Sequence, residues 1–293
     1  MKKVFVFGSM NMDLVINSPY MPQKGETMFG SGFMTNPGGK GANQAAAAGK
    51  LGAQVYMGGA VGDDSFGAQL LENLRTFGVN VDAVRTVPDC STGIAVIIVV
   101  DGDNRIILDG GANQQVTNSD VDRLLVGAQA GDIFICSLEN PIPVLGYALQ
   151  EAKKKEMYTV LNPAPMNTDI IPYLSSVDML IPNETEYAML CGNKLPDGGE
   201  TLLDKGVKDL TVTLGSKGYC YISRGEMICE DCIKVPVVDT TAAGDTFCGA
   251  LCAELSMGRT VPQALSFANR AAAVTVTRKG AQSAIPTRNE VQK

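Results

Sequence analysis

A chain of 293 residues with 45% hydrophobic content can bury a substantial core in one large domain or two ordinary ones, which excludes a disordered polymer. Its formal net charge of −7 gives no basic footprint for nucleic acid or an anionic membrane, so any bound anion must be met by local backbone donors. The chain contains no histidine, which excludes Ser-His, Cys-His and His-metal chemistry and leaves acid–base work to Asp, Glu, Lys, Tyr or Cys.

In chain order, VFVFGS (4–9) is an apolar run ended by Gly-Ser, the pattern of a buried parallel strand. The run is too short for a signal-peptide core, and no segment reaches transmembrane length, so a cytoplasmic protein is expected. Residues 14–38 hold short strands punctuated by Pro and Gly, without a helix. An alanine-rich helix is predicted from Asn43 to Leu51, a strand over 55–62 and a helix over 66–79. TGIAVIIVVDGDNRIILDGG (92–111) reads as a β-hairpin around Asp-Gly-Asp-Asn. Strand 132–139, helix 144–156 and strands 158–165, 177–184 and 210–218 follow. A helix opens near Gly244, and a last long helix runs over 261–276. Strands alternating with helices predict a doubly wound α/β sheet; residues 14–38 and the 92–111 hairpin stand apart as a small β-sheet excursion. The eight cysteines are scattered, and Cys229-Glu-Asp-Cys232 is a lone CxxC, so reduced thiols are expected rather than zinc or disulfides.

Five stretches can carry chemistry. GSMNMD (8–13) ends the first strand, where ligands of open α/β sheets bind; Asn11 and Asp13, two apart on an extended chain, share a side and suit a polyhydroxylated ligand, or simply a turn. NPGGKGANQ (36–44) puts glycines ahead of a helix, either for a tight structural turn or to aim backbone N–H groups at a ligand; it is neither a Walker A loop nor a dinucleotide fingerprint. PNETE (182–186) opens a helix. Its Asn183 and Glu186 could be N-cap acceptors or could face a hydrated Mg²⁺ beside phosphates. TLGSKG (213–218) is a strand-end turn or a nucleotide loop. In DTTAAGDTFCGA (239–250), Ala242, Ala243 and Gly244 lead into a helix N-terminus that stabilises negative charge. Asp245 is there either a dipole complement or a general base.

These motifs, in this order and together with STGIAVI (91–97), LNPAP (161–165) and AAAVTVTRKGAQ (271–282), resemble the PfkB carbohydrate kinase family from Val4 to about Pro286, most closely its ribose-phosphorylating members. The resemblance implies a Rossmann-like core (1–13, 39–92 and 111–293) and a β-sheet lid (14–38 and 93–110) through which two subunits form a homodimer. It implies transfer of the γ-phosphoryl of ATP to the 5-hydroxyl of D-ribose with Mg²⁺ and a monovalent cation, K⁺. By motif, Asn11, Asp13, Gly39, Lys40, Asn43 and Glu139 hold the sugar. Asp245 also touches it as the base, and the amides of Ala242, Ala243 and Gly244 form the anion hole. Asn183, Thr213, Leu214, Gly215, Ser216, Lys217, Gly218 and Gly244 face ATP, with Asn269 at an adenine position where the family often has histidine. Glu186 orders the water shell of Mg²⁺. Asp239, Thr241, Arg278, Gly280 and Ala284 surround K⁺, Ala284 standing where a serine is common. A kinase of the same family for 2-deoxyribose, fructose or a nucleoside such as adenosine differs by few contacts. A non-catalytic sugar-binding regulator would have no use for the Gly244-Asp245 pair.

Overall fold

The computed structural model describes residues 1–292. In chain order the elements are β1 (Lys3–Phe7), β2 (Asn11–Asn17), β3 (Ser31–Gly38), α1 (Lys40–Lys50), β4 (Gln54–Gly62), α2 (Ser65–Thr76), β5 (Val79–Val87), β6 (Gly93–Val100), β7 (Asp103–Asp109) and α3 (Asn118–Leu124). Then follow β8 (Ile133–Ser137), α4 (Ile142–Lys154), β9 (Tyr158–Asn162), β10 (Met179–Leu180), α5 (Glu184–Cys191), α6 (Gly199–Leu203) and β11 (Asp209–Thr213). The chain closes with β12 (Tyr219–Ser223), β13 (Glu226–Glu230), α7 (Ala243–Ser256), α8 (Val261–Thr275) and α9 (Arg288–Val291).

Nine strands form one sheet in the order β13-β12-β11-β10-β9-β8-β1-β4-β5. From β11 to β5 every pairing is parallel, because each crossover runs through helix or turn segments over a sheet face. One core cluster contains Val4, Val6, Val55 and Ile135 with α1, α7 and α8; the other contains Phe5, Phe7, Phe134 and Leu161 with α3 and α4. Alternate residues of the same strands thus feed opposite layers, as a sheet covered on both faces requires. The smaller sheet, β3-β2-β6-β7, is separate. Its first strand starts at Asn11 and its second reaches Gly38, so the sugar-motif residues Asn11 and Asp13 stand on it at the junction with the large sheet.

The doubly wound sheet is as expected, and one expectation, about the cysteines, changes at its edge. The far end of the large sheet is an antiparallel hairpin, β12–β13, turning at Arg224-Gly225, so the sheet is mixed. The hairpin register sets Cys220 opposite Cys229, and these two are disulfide-bonded with Cα atoms 4.0 Å apart. The expectation that all thiols are free is therefore wrong for this pair, and Cys229 bonds across the hairpin rather than to Cys232. Strand β10 is only two residues, although the Ile181 amide still donates to Leu161 of β9 and the Pro182 carbonyl accepts from Thr213 of β11 before the α5 cap. Among the described residues no helix is long and apolar enough to cross a membrane.

Candidate active site

The carboxyl ends of β1, β8, β9, β10 and β11 open on one edge of the sheet, and the N-termini of α1 and α7 point into the same edge. The glycine-rich turn before α1 is largely a packing device. Gly39 has φ +90°, and a Cβ on Gly41 would lie 2.6 Å from the carbonyl carbon of Gly8. Its amides are mostly engaged within the protein: Ala42 donates to the Ser9 carbonyl at 2.9 Å, and Lys40 to Glu139 Oε2 at 3.1 Å. The same oxygen takes the Ser9 hydroxyl in a short hydrogen bond, so Glu139 is held from two sides.

On β2, Asn11 and Asp13 are buried at alternate positions of one strand. Asn11 Oδ1 accepts from Asn113 Nδ2 at 2.7 Å, which leaves the Asn11 amide N–H groups to donate. Asn113 is itself fixed by Met10, which donates its backbone N–H to Asn113 Oδ1 at 3.0 Å. Asp13 accepts no hydrogen bond from a described side chain, and Gly38 leaves the space that its carboxylate fills.

Asp245 lies in the first turn of α7, buried, with its two oxygens taken by successive residues of α1. Asn43 Nδ2 donates to Oδ2 at 2.9 Å and Gln44 Nε2 to Oδ1 at 3.3 Å. The helix begins at Ala242, a non-glycine residue in the left-handed region at φ 60°, a conformation that costs on the order of 1 kcal/mol and recurs at functional sites. Among the described residues, the amides of Ala242, Gly244 and Asp245 meet no acceptor, whereas that of Ala243 donates to the Thr240 carbonyl at 3.3 Å. A Cβ on Gly244 would touch nothing within 4 Å, so its missing side chain leaves open cavity rather than a packing contact. That cavity, of about 230 Å³, is lined by Lys40, Asn162, Asn183, Glu186, Thr213, Thr240 and the turn from Ala242 to Asp245.

Four carboxylates and one lysine share this edge. Burial, then the charges of Glu139 and Asp245, push the Asp13 carboxyl up to about 7. The Asp245 charge, with Glu139 and Glu186, holds Lys40 above its ordinary value against its burial. Burial raises Glu186 as well. Glu186 and Asn183 form a reciprocal cap on α5, with Asn183 N donating to Glu186 Oε2 and Glu186 N to Asn183 Oδ1, each at 2.9 Å. Capping and facing the cavity are therefore compatible for this pair.

Thr213 bridges Asn183 in a short parallel contact and lines the cavity, while residues 214–218 close a tight turn through Leu214 N to the Gly218 carbonyl at 2.8 Å. In this turn Gly215 and Gly218 have positive φ, Ser216 is exposed, and Lys217 stands 3.7 Å from Glu184. Asn269 lies outside the cavity lining. Its amide donates to the Asp231 carbonyl at 2.9 Å and to Glu230 at 3.3 Å, tying α8 to the end of β13.

The segment after α8 packs against the non-strand stretch that leads from β13 to the turn. Val238 N donates to the Val276 carbonyl at 2.7 Å, and Gly280 N to Asp239 Oδ2 at 3.0 Å. Asp239 Oδ1 takes both the amide and the hydroxyl of Thr241, at 2.9 and 2.6 Å. Burial works against the Asp239 charge, but the bonds from Thr241 and Gly280 outweigh it and hold the carboxyl below its ordinary value. The Arg278 guanidinium turns away to Glu290 at 2.6 Å, Ala284 is buried, and Ser283 is exposed beside the Lys279 carbonyl.

A sequence model of the pfkB family carbohydrate kinases matches residues 1–288. The chain belongs to the pfkB family of carbohydrate kinases. Among its relatives in this kinase family, the ribokinase of Schizosaccharomyces pombe is 41% identical, over 99% of this chain and 97% of its own. The Bacillus subtilis ribokinase is 37% identical over 100% and 99%. The Arabidopsis thaliana ribokinase complexed with ribose and ATP superposes with a TM-score of 0.90, at 33% identity, over 99% of this kinase and 97% of that chain.

Sequence reasoning passed over Ser9, Gln44, Asn113 and Asn162. Gln44 and Ser9 lay within the motifs that drew attention, yet a residue type alone does not say whether it faces ligand or another site residue. Asn113 has no local signal, because its partners are about a hundred residues away in the chain.

Proposed function

We propose that this kinase transfers the γ-phosphoryl of ATP to the 5-hydroxyl of D-ribose, giving ribose 5-phosphate. The observation that carries the reading is the pairing, on one turn, of a buried carboxylate held by two amides with a helix N-terminus at which the amides of Ala242, Gly244 and Asp245 meet no acceptor among the described residues, whereas that of Ala243 is engaged. Asp245 takes the proton of the attacking hydroxyl, while the N–H groups of Ala242, Gly244 and Asp245 meet the charge on the transferring group. Asn11, Asp13, Gly39, Lys40, Asn43 and Glu139 bind the sugar, with Asn11 donating and the carboxylates accepting. On the ATP side stand Asn183 and the 213–218 turn. Glu186, which lines the cavity, would hold Mg²⁺ through its water shell beside the phosphates. When bound, the ion offsets charge on the phosphate oxygens. Every other part of the task is positioning by this chain.

The Asp239 and Thr241 region, with carbonyls of Arg278 and Gly280 and the neighbourhood of Ala284, is the place for K⁺. There an ion would brace the anion-hole turn without touching substrate. The test is ATP consumption over D-ribose, 2-deoxyribose, fructose, adenosine and uridine, with KCl titrated against tetramethylammonium chloride. Ribose should give the highest kcat/KM, with saturable activation by K⁺ alone. Preference for another substrate would reassign the sugar, and equal rates in both salts would remove the cation.

The small sheet supplies the lid and the dimer contact, through 14–38 and 93–110. Phe33 and Ile107 are 65% and 66% exposed on it, and an edge with such residues is a hazard unless covered. Light scattering at micromolar concentration should give a dimer mass. A monodisperse monomer would remove this contact.

A further inference from the structure

Gln44 is the fifth residue of α1 and is wholly buried. Its side-chain nitrogen lies 3.3 Å from Asp245 Oδ1 and 3.3 Å from Asn162 Oδ1. The orientation of this amide follows from its neighbours. Asn162 spends its own nitrogen on the Ile181 carbonyl at 2.9 Å, so its Oδ1 faces Gln44 as an acceptor. A carboxylate is an acceptor as well, and only an NH₂ group serves both. Gln44 Oε1 is buried and meets no partner among the described residues, so its donor end alone holds the side chain.

The consequence appears on comparing helix starts. In α3, α5, α8 and α9 the third helical residue turns its side chain back onto the N-cap amide, closing a capping box. Asp245 is the third residue of α7, counted from the Ala242 cap, and has the chemistry to do the same. It does not: its oxygens are drawn to α1, and the Ala242 cap is left-handed at φ 60° where the four capping-box N-caps are extended. We infer that Gln44 is a positioning residue: by donating to Asp245 Oδ1 it holds the carboxylate off the α7 amides, so that base and anion hole are both available. Asn162 braces Gln44 from the β9 end. This rests on the reading of Asp245 as the base.

The test is Gln44→Met, close in volume but without a donor, alone and combined with Asp245→Asn. Alone, kcat should fall about 10- to 100-fold, the scale of a hydrogen bond to a charged group, with the KM for ribose changed by less than about threefold. In the Asp245→Asn background the same change should cost almost nothing further, because the carboxylate it positions is gone. A loss in KM rather than kcat, no loss, or an equal loss in both backgrounds would overturn the inference. An Asp245→Asn enzyme that keeps near-normal turnover removes the base reading itself, and this inference with it. If Gln44→Met does not fold, Asn162→Ala is read in the same cycle. It should lower kcat by about 3- to 10-fold in the parent and not in Asp245→Asn; an equal loss in both overturns the inference.

Discussion

Asp245→Asn is expected to lower kcat by about 10²–10⁴-fold while changing ribose affinity little. The substitution keeps the shape of the side chain and removes the proton acceptor. It also sets an NH₂ group against one of the two donors, Asn43 Nδ2 or Gln44 Nε2, that now converge on the carboxylate. One of those bonds is lost, so a fall in stability of about 1 kcal/mol accompanies the kinetic loss. Lys40, whose largest charge partner is Asp245, loses that partner but keeps Glu139 and Glu186. Steady-state rates with ribose and Mg-ATP, together with calorimetric ribose binding, separate the two effects. Turnover within about tenfold of the parent would reduce Asp245 to a helix-end acid.

Asp13→Asn is expected to weaken ribose binding and to stabilise the ligand-free protein at high pH. The carboxyl has a folded value near 7 against an ordinary 3.8, because burial and the charges of Glu139 and Asp245 oppose its ionisation. The sign follows from proton counting. Between pH 3.8 and 7 the folded state holds a proton that the unfolded state has released, so stability falls as pH rises through this window. The cost is fully present above about 7. At about 1.4 kcal/mol per pH unit it is on the order of 4 kcal/mol. Asparagine removes that charge. The melting temperature at pH 8 should therefore rise by a few degrees, with little change near pH 4. The KM for ribose should rise roughly 10- to 150-fold, since hydrogen bonds from sugar hydroxyls to a charged group are worth about 1.5–3 kcal/mol. A lower melting temperature at pH 8, or an unchanged KM, would sink this account of a binding group held at the expense of stability.

Much of this kinase was legible along the chain. The apolar run VFVFGS, the alanine-rich start of α1 and the helix after Gly244 are local patterns. A strand or helix of that kind is chosen by the periodicity of its own residues. The helix–strand rhythm likewise separated 14–38 and the 92–111 hairpin from the large sheet, because β-rich stretches with Pro and Gly have no helical face. The β12–β13 hairpin escaped notice: YCYISRGEMICE mixes polar and apolar residues without a strong turn signal. β12 is fixed by pairing with β11 at the sheet edge, and the pairing of β13 with β12 is what joins Cys220 to Cys229.

At the site, residue types announced themselves but their duties did not. The glycine turn reads equally as a structural turn and as a row of donors for a ligand, and the fold hands most of those amides to Ser9 and Glu139, which arrive from other strand ends. Asp245 reads equally as a dipole complement and as a base. Only the packing of α1 against α7 brings Asn43 and Gln44 to its two oxygens and leaves the helix amides open. The high value at Asp13 depends on Glu139 and Asp245, two charges far along the chain. Local propensity acts over a few residues, whereas burial, charge coupling and the choice of hydrogen-bond partner depend on which distant segments the sheet order places side by side.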